Sequence, residues 1–385
     1  MEFKKYLLSE ISDYKTGRLN SNAAIENGKY KFFTCAPNPL TINSYSYDDD
    51  VILLAGNNAN GIFHINRFNG KFDAYQRTYI IKPKFDVIDI DYLYYYLKFK
   101  LNFLRSQSIG SATKYLTKPI LDNLEIYSPK SKRKETIISS ILKILDKKIE
   151  LNKRIIANLE ELSQTLFKRW FVDFEFPDEN GNPYKSSGGE MIDSELGEIP
   201  SGWKVDELGN YIKIKSGKRP KNKVDKKDIE NVVPIIGASK IMGYTNDYLY
   251  NVKIIISVRG GTHGVIQRFS TRTWPSDNTF VIISDFESII YQVLKSIDYI
   301  SLNRGSTQPL LSQKDIKNTK VAMPTNETLL STYQKENNHI LKMMDQKNIE
   351  NQKLTQLRDT LLPKLMSGEI EIPDDIEVNE DELSI

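Results

Sequence analysis

The longest regular pattern of apolar and polar positions lies in mid-chain, between residues 131 and 174. Apolar residues recur there at separations of three, four and seven, a period typical of a coiled-coil helix rather than a strand: Ile138, Ile141, Leu145, Ile149, Ile156, Leu159 and Leu166. No glycine or proline occurs from Ser131 to Phe176, and Pro177 follows. The pattern therefore predicts one helix of about 40 residues, roughly 60 Å long.

A second segment of this kind covers residues 326–368, with Ile340, Met344, Leu354, Leu361 and Leu365 on one face. It resembles the first at a constant shift of 199 residues, which pairs Asn152 with Asn351. Both asparagines fall in or beside the predicted seam, where a polar residue costs stability but fixes the register of the helices. An ordinary surface position is an equally good interpretation of each.

The rest of the chain also repeats, at shifts of about 195 to 203 residues. Gly17-Arg18 matches Gly217-Lys218, and an apolar strand followed by a polar loop occurs at 51–61 and again at 254–264. The sequence therefore predicts two pseudo-repeated halves of the α+β class, each a mixed α/β domain with a twisted or barrel-like sheet. The predicted order is domain 1–130, helix 131–174, polar linker 175–202, domain 203–325, helix 326–368 and acidic tail 369–385.

The charge balance changes this picture only modestly. The 385 residues carry a net charge of +3, but the tail holds eight acids and no base, so the remainder has 53 basic against 42 acidic residues. A local excess of this size is a weak indication of a polyanionic partner. The single cysteine, Cys35, excludes an intramolecular disulfide, and no segment has the pattern of a signal peptide or membrane span. We therefore expect a soluble, cytoplasmic protein.

Motifs of catalysis are missing from the sequence. It contains no Walker A loop, dinucleotide glycine fingerprint or nucleophile elbow, and the three histidines, His64, His263 and His339, are scattered. The acid-x-Lys spacing at Asp146-Lys147-Lys148 lies within the predicted helix, where such short matches are common by chance. We therefore predict no catalytic site and no metal site in this chain.

Polar and basic loop residues are instead candidates for DNA binding, because arginine and glutamine read guanine and adenine edges and lysine contacts phosphates. For a single lysine run or asparagine, a solvated face or a structural turn is the alternative. The four tyrosines at 92 and 94–96 could stack on bases, but packing of a helix is the favoured interpretation. The candidates are Lys15, Arg18, Asn57, Asn58, Asn60, Arg77 and Lys114 in the first half, and Lys215, Lys218, Arg219, Arg259, Thr262, His263, Arg304, Thr307 and Gln308 in the second.

Several segments together resemble one known family. They are Leu145–Asn152 and Leu159–Phe174 in the first long helix, Gly197–Trp203, and Gly305-Ser306-Thr307-Gln308. The resemblance covers essentially the whole chain and is to the specificity subunits of Type I restriction–modification systems, which act against foreign DNA. The first half departs from it, with Gly110-Ser111-Ala112-Thr113 in place of Gly-Ser-Thr-Gln.

The resemblance implies that each half is a target recognition domain for one half of a bipartite double-stranded DNA site. It also implies that the long helices pair antiparallel and set the spacer. The chain would be non-catalytic and would assemble with methyltransferase and restriction (translocase) subunits. S-adenosylmethionine, ATP and Mg would be used by those partners and not bound here. The alternative is an assembly scaffold that binds proteins through its helices and no longer reads DNA.

Overall fold

The computed structural model describes residues 2–59, 61–84, 86–237, 240–258, 265–299 and 312–373. The chain divides into two units, one formed by residues 1–151 with 350–385 and the other by residues 152–349. Each unit therefore combines one globular domain with a part of both long helices.

The domain of unit 1 is built on a six-stranded sheet of order β2-β8-β5-β7-β3-β4, with two further strand pairs, β1-β10 and β6-β9. Its helices are α1 (Leu8–Ile11), α2 (Ile90–Gln107) and α3 (Lys118–Asp122), with a short 3-10 turn at Ser21–Ala23. The strands are β1 (Phe3–Leu7), β2 (Ser12–Thr16), β3 (Tyr30–Phe33), β4 (Leu40–Ile42), β5 (Tyr47–Ala55), β6 (Asn57–Ala59), β7 (Ile65–Ala74), β8 (Thr78–Pro83), β9 (Thr113–Tyr115) and β10 (Glu125–Pro129).

The central strand β5 is apolar on both faces, and this explains its unbroken Val-Ile-Leu-Leu run. Ile52 and Leu54 join the core that contains α2, whereas Val51 and Leu53 point into a second, aromatic cluster with Phe33 and Phe72. Alternate strand residues face opposite sides, so a strand buried on both sides has to be continuously hydrophobic. Tyr92, Tyr95 and Tyr96 are at most 3% exposed, which confirms that these tyrosines pack helix α2.

The domain of unit 2 has a related set of elements, several of them shorter. Its helices are α5 (Glu287–Ser296) and α6 (Gln313–Lys317), with a 3-10 turn at Leu208–Asn210. Its sheets have the orders β14-β20-β17-β18, β16-β15-β19, β13-β21 and β11-β12. The strands are β11 (Met191–Ser194), β12 (Gly197–Pro200), β13 (Trp203–Glu207), β14 (Lys213–Ser216), β15 (Val233–Ile236), β16 (Ile241–Thr245), β17 (Ile254–Val258), β18 (Ile266–Phe269), β19 (Trp274–Pro275), β20 (Thr279–Ile283) and β21 (Lys320–Pro324).

The strand pairings confirm the internal repeat. The order β2-β8-β5-β7 in unit 1 corresponds to β14-β20-β17-β18 in unit 2. In both units an antiparallel pair ties the start of the domain to its end, joining Phe3 to Pro129 and Trp203 to Pro324. Strand β3 runs parallel to β7, and β15 runs parallel to β19. The long strand β7 therefore corresponds to two separate strands, β18 and β19.

The two long helices are α4 (Lys132–Phe167) and α7 (Glu327–Ser367), 36 and 41 residues long. In unit 1 they run antiparallel, because Asp146 pairs with Arg358 at 2.7 Å and Lys148 with Glu350 at 3.9 Å. In unit 2 the Ser163 hydroxyl donates to Asn337 Oδ1 at 2.7 Å. Asn152 is completely buried, which excludes the surface interpretation for that residue, and Asn351 is half-buried. The helices agree closely with the predicted segments 131–174 and 326–368.

The end of α4 differs from the prediction in its geometry. A single π turn, Lys168–Val172, follows the helix, and Asp173 N donates to the Lys168 carbonyl at 2.8 Å. Phe174 then takes a positive φ of 59°. This widened turn buries Trp170 and Phe171 together. The chain thus leaves the helix a few residues before Pro177, the proline expected to end it.

The segment predicted to be a polar linker, 175–202, is folded. It contains the β11-β12 hairpin, and the ring of Phe176 stacks between those of Tyr184 and Trp203 at centroid distances of 4.7 and 5.5 Å. Aromatic stacking compensates for its polar, glycine-rich composition. Within the described residues, no helix is both long and apolar enough for a membrane span.

Candidate nucleic-acid interface

Gly17 and Gly217 follow equivalent strands, β2 and β14, in the two domains. We call these two places, residues 15–18 and 215–218, the first and the second corner. Gly17 N donates to the Thr78 carbonyl at 3.1 Å, and Gly217 N donates to the Thr279 carbonyl at 3.0 Å. A Cβ atom on either glycine would lie 2.1 Å from a carbonyl oxygen, that of Ala74 or of Ser276. These glycines are therefore required by the chain's own backbone. Both glycines are buried, so neither is itself open to a ligand.

The side chains around the first corner remain available. Lys15, on the edge strand β2, and Arg18 are exposed, and neither forms an ion pair within the described residues. The Lys15 ammonium lies 4.8 Å from the ring centre of Tyr47. Tyr47 is buried, and burial raises the pKa of its hydroxyl. The tyrosine thus stays neutral, and its ring contacts the Lys15 ammonium without cancelling the charge of the lysine.

The second corner has the same chemistry. Lys215 lies on β14, and Lys218 follows Gly217, so the pair corresponds to Lys15 and Arg18 at a shift of 200 residues. The backbone of Lys218 is held on both sides, since its N–H donates to Pro275 O at 3.0 Å and its carbonyl accepts from Trp274 Nε1 at 2.8 Å. Its side chain is exposed. A rigid backbone carrying a free cation is well suited to a phosphate contact.

Arg219 is more solvent-exposed and less constrained. Its Nε lies 3.4 Å from Asp277 Oδ2, and 85% of its side chain is exposed. Ion pairs this exposed contribute little, because water screens them and the side chains lose entropy. Asp277 therefore leaves Arg219 largely free to find another anion.

The remaining first-domain candidates gather on a two-stranded ribbon formed by β6 and β9, which pairs Asn57 with Tyr115 and Asn58 with Lys114. The Cys35 thiol donates to Asn57 Oδ1 at 3.0 Å. The Asn58 amide nitrogen donates to the carbonyls of Ile62 and Cys35, at 2.7 and 3.4 Å. Within the described residues, the Asn57 amide nitrogen thus remains available to a ligand, whereas both donors of Asn58 are used to hold the loop.

Two arginines flank the ribbon. Arg77 is exposed and lies 5.3 Å from the ring centre of Tyr115. Arg105, in the last turn of α2, was not among the predicted residues. It lies close to Gly61 and Lys114, because a Cβ atom added to Gly61 would lie 3.0 Å from Arg105 Cγ and 3.1 Å from Lys114 Cγ. Neither arginine has a carboxylate partner in the described part of the chain. The sequence signal for Arg105 was a basic residue at the C-terminal end of a helix whose first half is mostly buried.

Seven predicted residues lie outside the described residues: Asn60, Arg259, Thr262, His263, Arg304, Thr307 and Gln308. Their proposed contacts stay predictions. The other nine are placed as given above. Among the described residues, no group of three or more histidine, cysteine or acidic side chains could hold a metal ion.

Each domain is anchored to its long helices through a charged network. In unit 1, Asp146 on α4 accepts hydrogen bonds from Tyr95 and Lys98 at 3.1 Å and from Arg358 at 2.7 Å. Burial alone would raise the pKa of Asp146, but these two cations lower it below the usual value. The acid-x-Lys match that begins at Asp146 is thus structural.

In unit 2, Arg268 has the corresponding role on β18. It pairs with Glu287 at 2.9 Å and with Asp345 on α7 at 2.6 Å, and its side chain is 5% exposed. Asp345 is the counterpart of Asp146 at the shift of 199 residues. The two networks hold each domain helix against the adjoining long helices, and so they set the orientation of the domain's loops.

The comparisons with known proteins agree with the internal repeat. The family model for the Type I restriction modification DNA specificity domain matches residues 1–161 and again residues 200–359. The specificity subunit of the Type I restriction enzyme EcoDI from Escherichia coli is 34% identical over 218 residues, which are 53% of this chain and 47% of that protein. The match therefore spans about half the length of that relative.

The MjaIX specificity subunit of Methanocaldococcus jannaschii is 29% identical over 327 residues, covering 76% of this chain and 71% of that protein. Among solved structures, the Type I restriction–modification S subunit from M. genitalium has a TM-score of 0.64 at 19% identity, with 97% of both chains covered. That likeness concerns the fold: two pseudo-repeated mixed α/β domains and two long antiparallel helices.

Proposed function

The chain belongs to the Type I restriction–modification DNA specificity family, and from this premise we propose that it selects the DNA sequence on which a Type I complex acts. Each domain would read one half of a bipartite, asymmetric site in double-stranded DNA. The two long helices would set the distance between the halves.

The observation that carries this proposal is the pair of matched cationic corners. Lys15 with Arg18, and Lys215 with Lys218, occupy equivalent positions in the two domains, are exposed, and have no acidic partner within the described residues. Phosphate contacts of this kind position a protein on DNA, whereas base contacts specify the sequence. The surrounding loops differ between the domains, as two different half-sites require. Asn57, Arg77, Arg105 and Lys114 are the candidates in the first.

We further propose that the chain is non-catalytic and acts in the cytoplasm. Methyltransferase subunits would supply adenine methylation with S-adenosylmethionine, and a restriction subunit would use ATP and Mg to translocate and cut DNA. This division agrees with the lack of catalytic motifs in the sequence and with the specificity-subunit names of the relatives.

Methylation mapping tests this proposal. The chain is co-expressed with a methyltransferase subunit of the same system in a host without adenine methylation, and modified adenines are mapped across the genome. We expect one split motif with a fixed gap. If the complex assembles but no adenine is methylated, the chain is an assembly scaffold and the DNA-reading function is wrong.

Matched variants then assign the halves. Lys15→Ala with Arg18→Ala should reduce methylation by weakening phosphate binding beside one half-site, and Lys215→Ala with Lys218→Ala beside the other. The control is Lys226→Ala with Lys227→Ala, two exposed lysines that belong to neither corner. Equal loss from the control pair would mean that overall charge, rather than these corners, determines DNA binding.

A further inference from the structure

Unit 2 contains an open cavity of about 300 Å³, lined mainly by apolar residues, where α4 ends. Its walls include Phe167, Phe171, Phe174 and Val293, and its mouth includes Leu196 and Val172, which are 50% and 53% exposed. The rings of Phe167 and Phe171 stack at 5.1 Å, so this wall is rigid. A preformed cavity with exposed apolar side chains at its mouth has the character of a binding site.

The internal repeat shows which side chains unit 1 has at the positions equivalent to the cavity wall. At the positions equivalent to Val293, Ser296 and Ala322, unit 1 has Tyr96, Phe99 and Tyr127. Tyr96 is 1% exposed, and its ring packs edge-on against Phe99 at 6.0 Å. Unit 1 thus packs the rings of Tyr96 and Phe99 at this place, with Tyr127 37% exposed, whereas unit 2 has three smaller side chains there. An aromatic or comparably large apolar side chain therefore fits the cavity.

The surroundings of the cavity are acidic. Residues 173–198 contain one basic residue, Lys185, and eight acidic residues: Asp173, Glu175, Asp178, Glu179, Glu190, Asp193, Glu195 and Glu198. Lys320, the cation in the cavity wall, pairs with Glu195 at 3.8 Å and with Glu207 at 3.7 Å, and Lys168 pairs with Asp173 at 2.6 Å. Since Lys320 faces two carboxylates, the wall and its neighbours keep a net negative charge. Glu198 lines the cavity and, like Asp193 on the same hairpin, is exposed and forms no ion pair among the described residues. Helix α5 also ends here, at Ser296, and a helix C-terminus carries partial negative charge.

We propose that this cavity and its acidic rim form a docking site for a basic segment of a protein partner, anchored by one aromatic or large apolar side chain. Opposite charge would steer the segment to the rim, and burial of the anchor would hold it. The same negative charge repels DNA, which separates this surface from the cationic corners. The inference rests on the proposed function in one respect, since the partner to be tested is the methyltransferase subunit.

The test fills the cavity in the full-length chain and measures binding of purified methyltransferase subunit by calorimetry. Ser296→Phe and Ala322→Tyr install the residues found in unit 1 and should weaken binding at least about tenfold, as loss of an anchor does. The matched control Ser296→Ala leaves the cavity open and should bind within about twofold of the wild type. Glu198→Lys should also weaken binding and should reduce its dependence on salt.

Circular dichroism first establishes that each variant is folded; if Ala322→Tyr is not, Ser296→Phe and Glu198→Lys decide. Wild-type affinity in the folded, filled variants would overturn the docking site and leave the proposed function intact. Failure of the wild-type chain to bind any methyltransferase subunit would overturn both. If filling instead abolishes self-association of the free chain and spares the methyltransferase, the occupant is a second copy and the proposal is wrong.

Discussion

Removing the Asp146 carboxylate should destabilise unit 1 and leave unit 2 largely unaffected. Asp146, Lys98 and Arg358 are 26%, 23% and 18% exposed, so all three charges are mostly withdrawn from water. Asp146→Ala would remove the anion between Lys98 and Arg358, leave Arg358 with only the more exposed Asp359, and leave the Tyr95 hydroxyl without its acceptor.

Breaking a fully buried pair from one side costs about 3–5 kcal/mol. Because water still reaches roughly a fifth of each side chain, we expect a loss of about 2–4 kcal/mol in the free energy of unfolding. The effect should depend on pH. The folded pKa of Asp146 is below its usual value, so its stabilisation is fully present above the usual carboxyl pKa of about 4. It is lost as the pH falls through the lower, folded pKa.

The chain provides its own reporter for this experiment, because all three tryptophans, Trp170, Trp203 and Trp274, belong to unit 2. In urea titrations, far-UV circular dichroism follows both units, whereas tryptophan fluorescence follows unit 2. We expect Asp146→Ala to shift the dichroism transition more than the fluorescence transition. Glu161→Ala, an exposed site on the same helix, should change stability by less than about 0.5 kcal/mol. A change that small for Asp146→Ala, or an equal shift in both signals, would show that Asp146 does not anchor unit 1.

Four other sets of variants probe the interface, the glycine corner and the helices. Each double variant at a cationic corner should make the negative slope of log affinity against log salt shallower by about 0.9 for every phosphate that is no longer neutralised. Filter binding at several salt concentrations measures this slope. An unchanged slope would mean that these lysines and Arg18 do not belong to the interface. Arg105→Ala should weaken DNA binding by the first domain with no loss of thermal stability. Gln107→Ala, at the end of the same helix, should change neither DNA binding nor thermal stability. Gly17→Ala should destabilise its domain by more than about 2 kcal/mol in denaturant titrations, because the added Cβ meets backbone at 2.1 Å; a neutral effect would mean that the corner can shift. Inserting seven residues at matched places in α4 and α7 should lengthen the helices by about 10 Å and widen the methylated gap, and altered half-sites would contradict a spacer role.

The long helices and the repeat were predictable because their signals are periodic and local. The spacing from Ile138 to Leu166 indicates a helix regardless of its partner. The constant shift relates Asp146 to Asp345, and both residues prove to anchor a domain. The repeat pairs Gly17 with Gly217, but only the fold shows that the backbone at Ala74 and Ser276 approaches them.

The features that sequence reasoning missed depend on residues distant in the chain. The ribbon joins Asn57 to Tyr115 across a separation that no local pattern indicates. Arg105 was missed because no local pattern shows that the end of α2 lies beside Gly61 and Lys114. The segment 175–202 has the composition of a linker, and its folding depends on stacking of Phe176 on Trp203.

The division of the chain into units affects the order in which they can fold during synthesis. Unit 2 is one continuous segment, whereas unit 1 needs residues 350–385 to join residues 1–151. At about 5–20 residues per second, the first domain would leave the ribosome roughly 10–40 s before its closing segment. During that interval the face of α4 formed by Ile138 and Leu142 would lack Leu362, Leu365 and Met366. The domain made first is therefore the one completed last, and chaperone binding or aggregation of nascent chains should concentrate on that face.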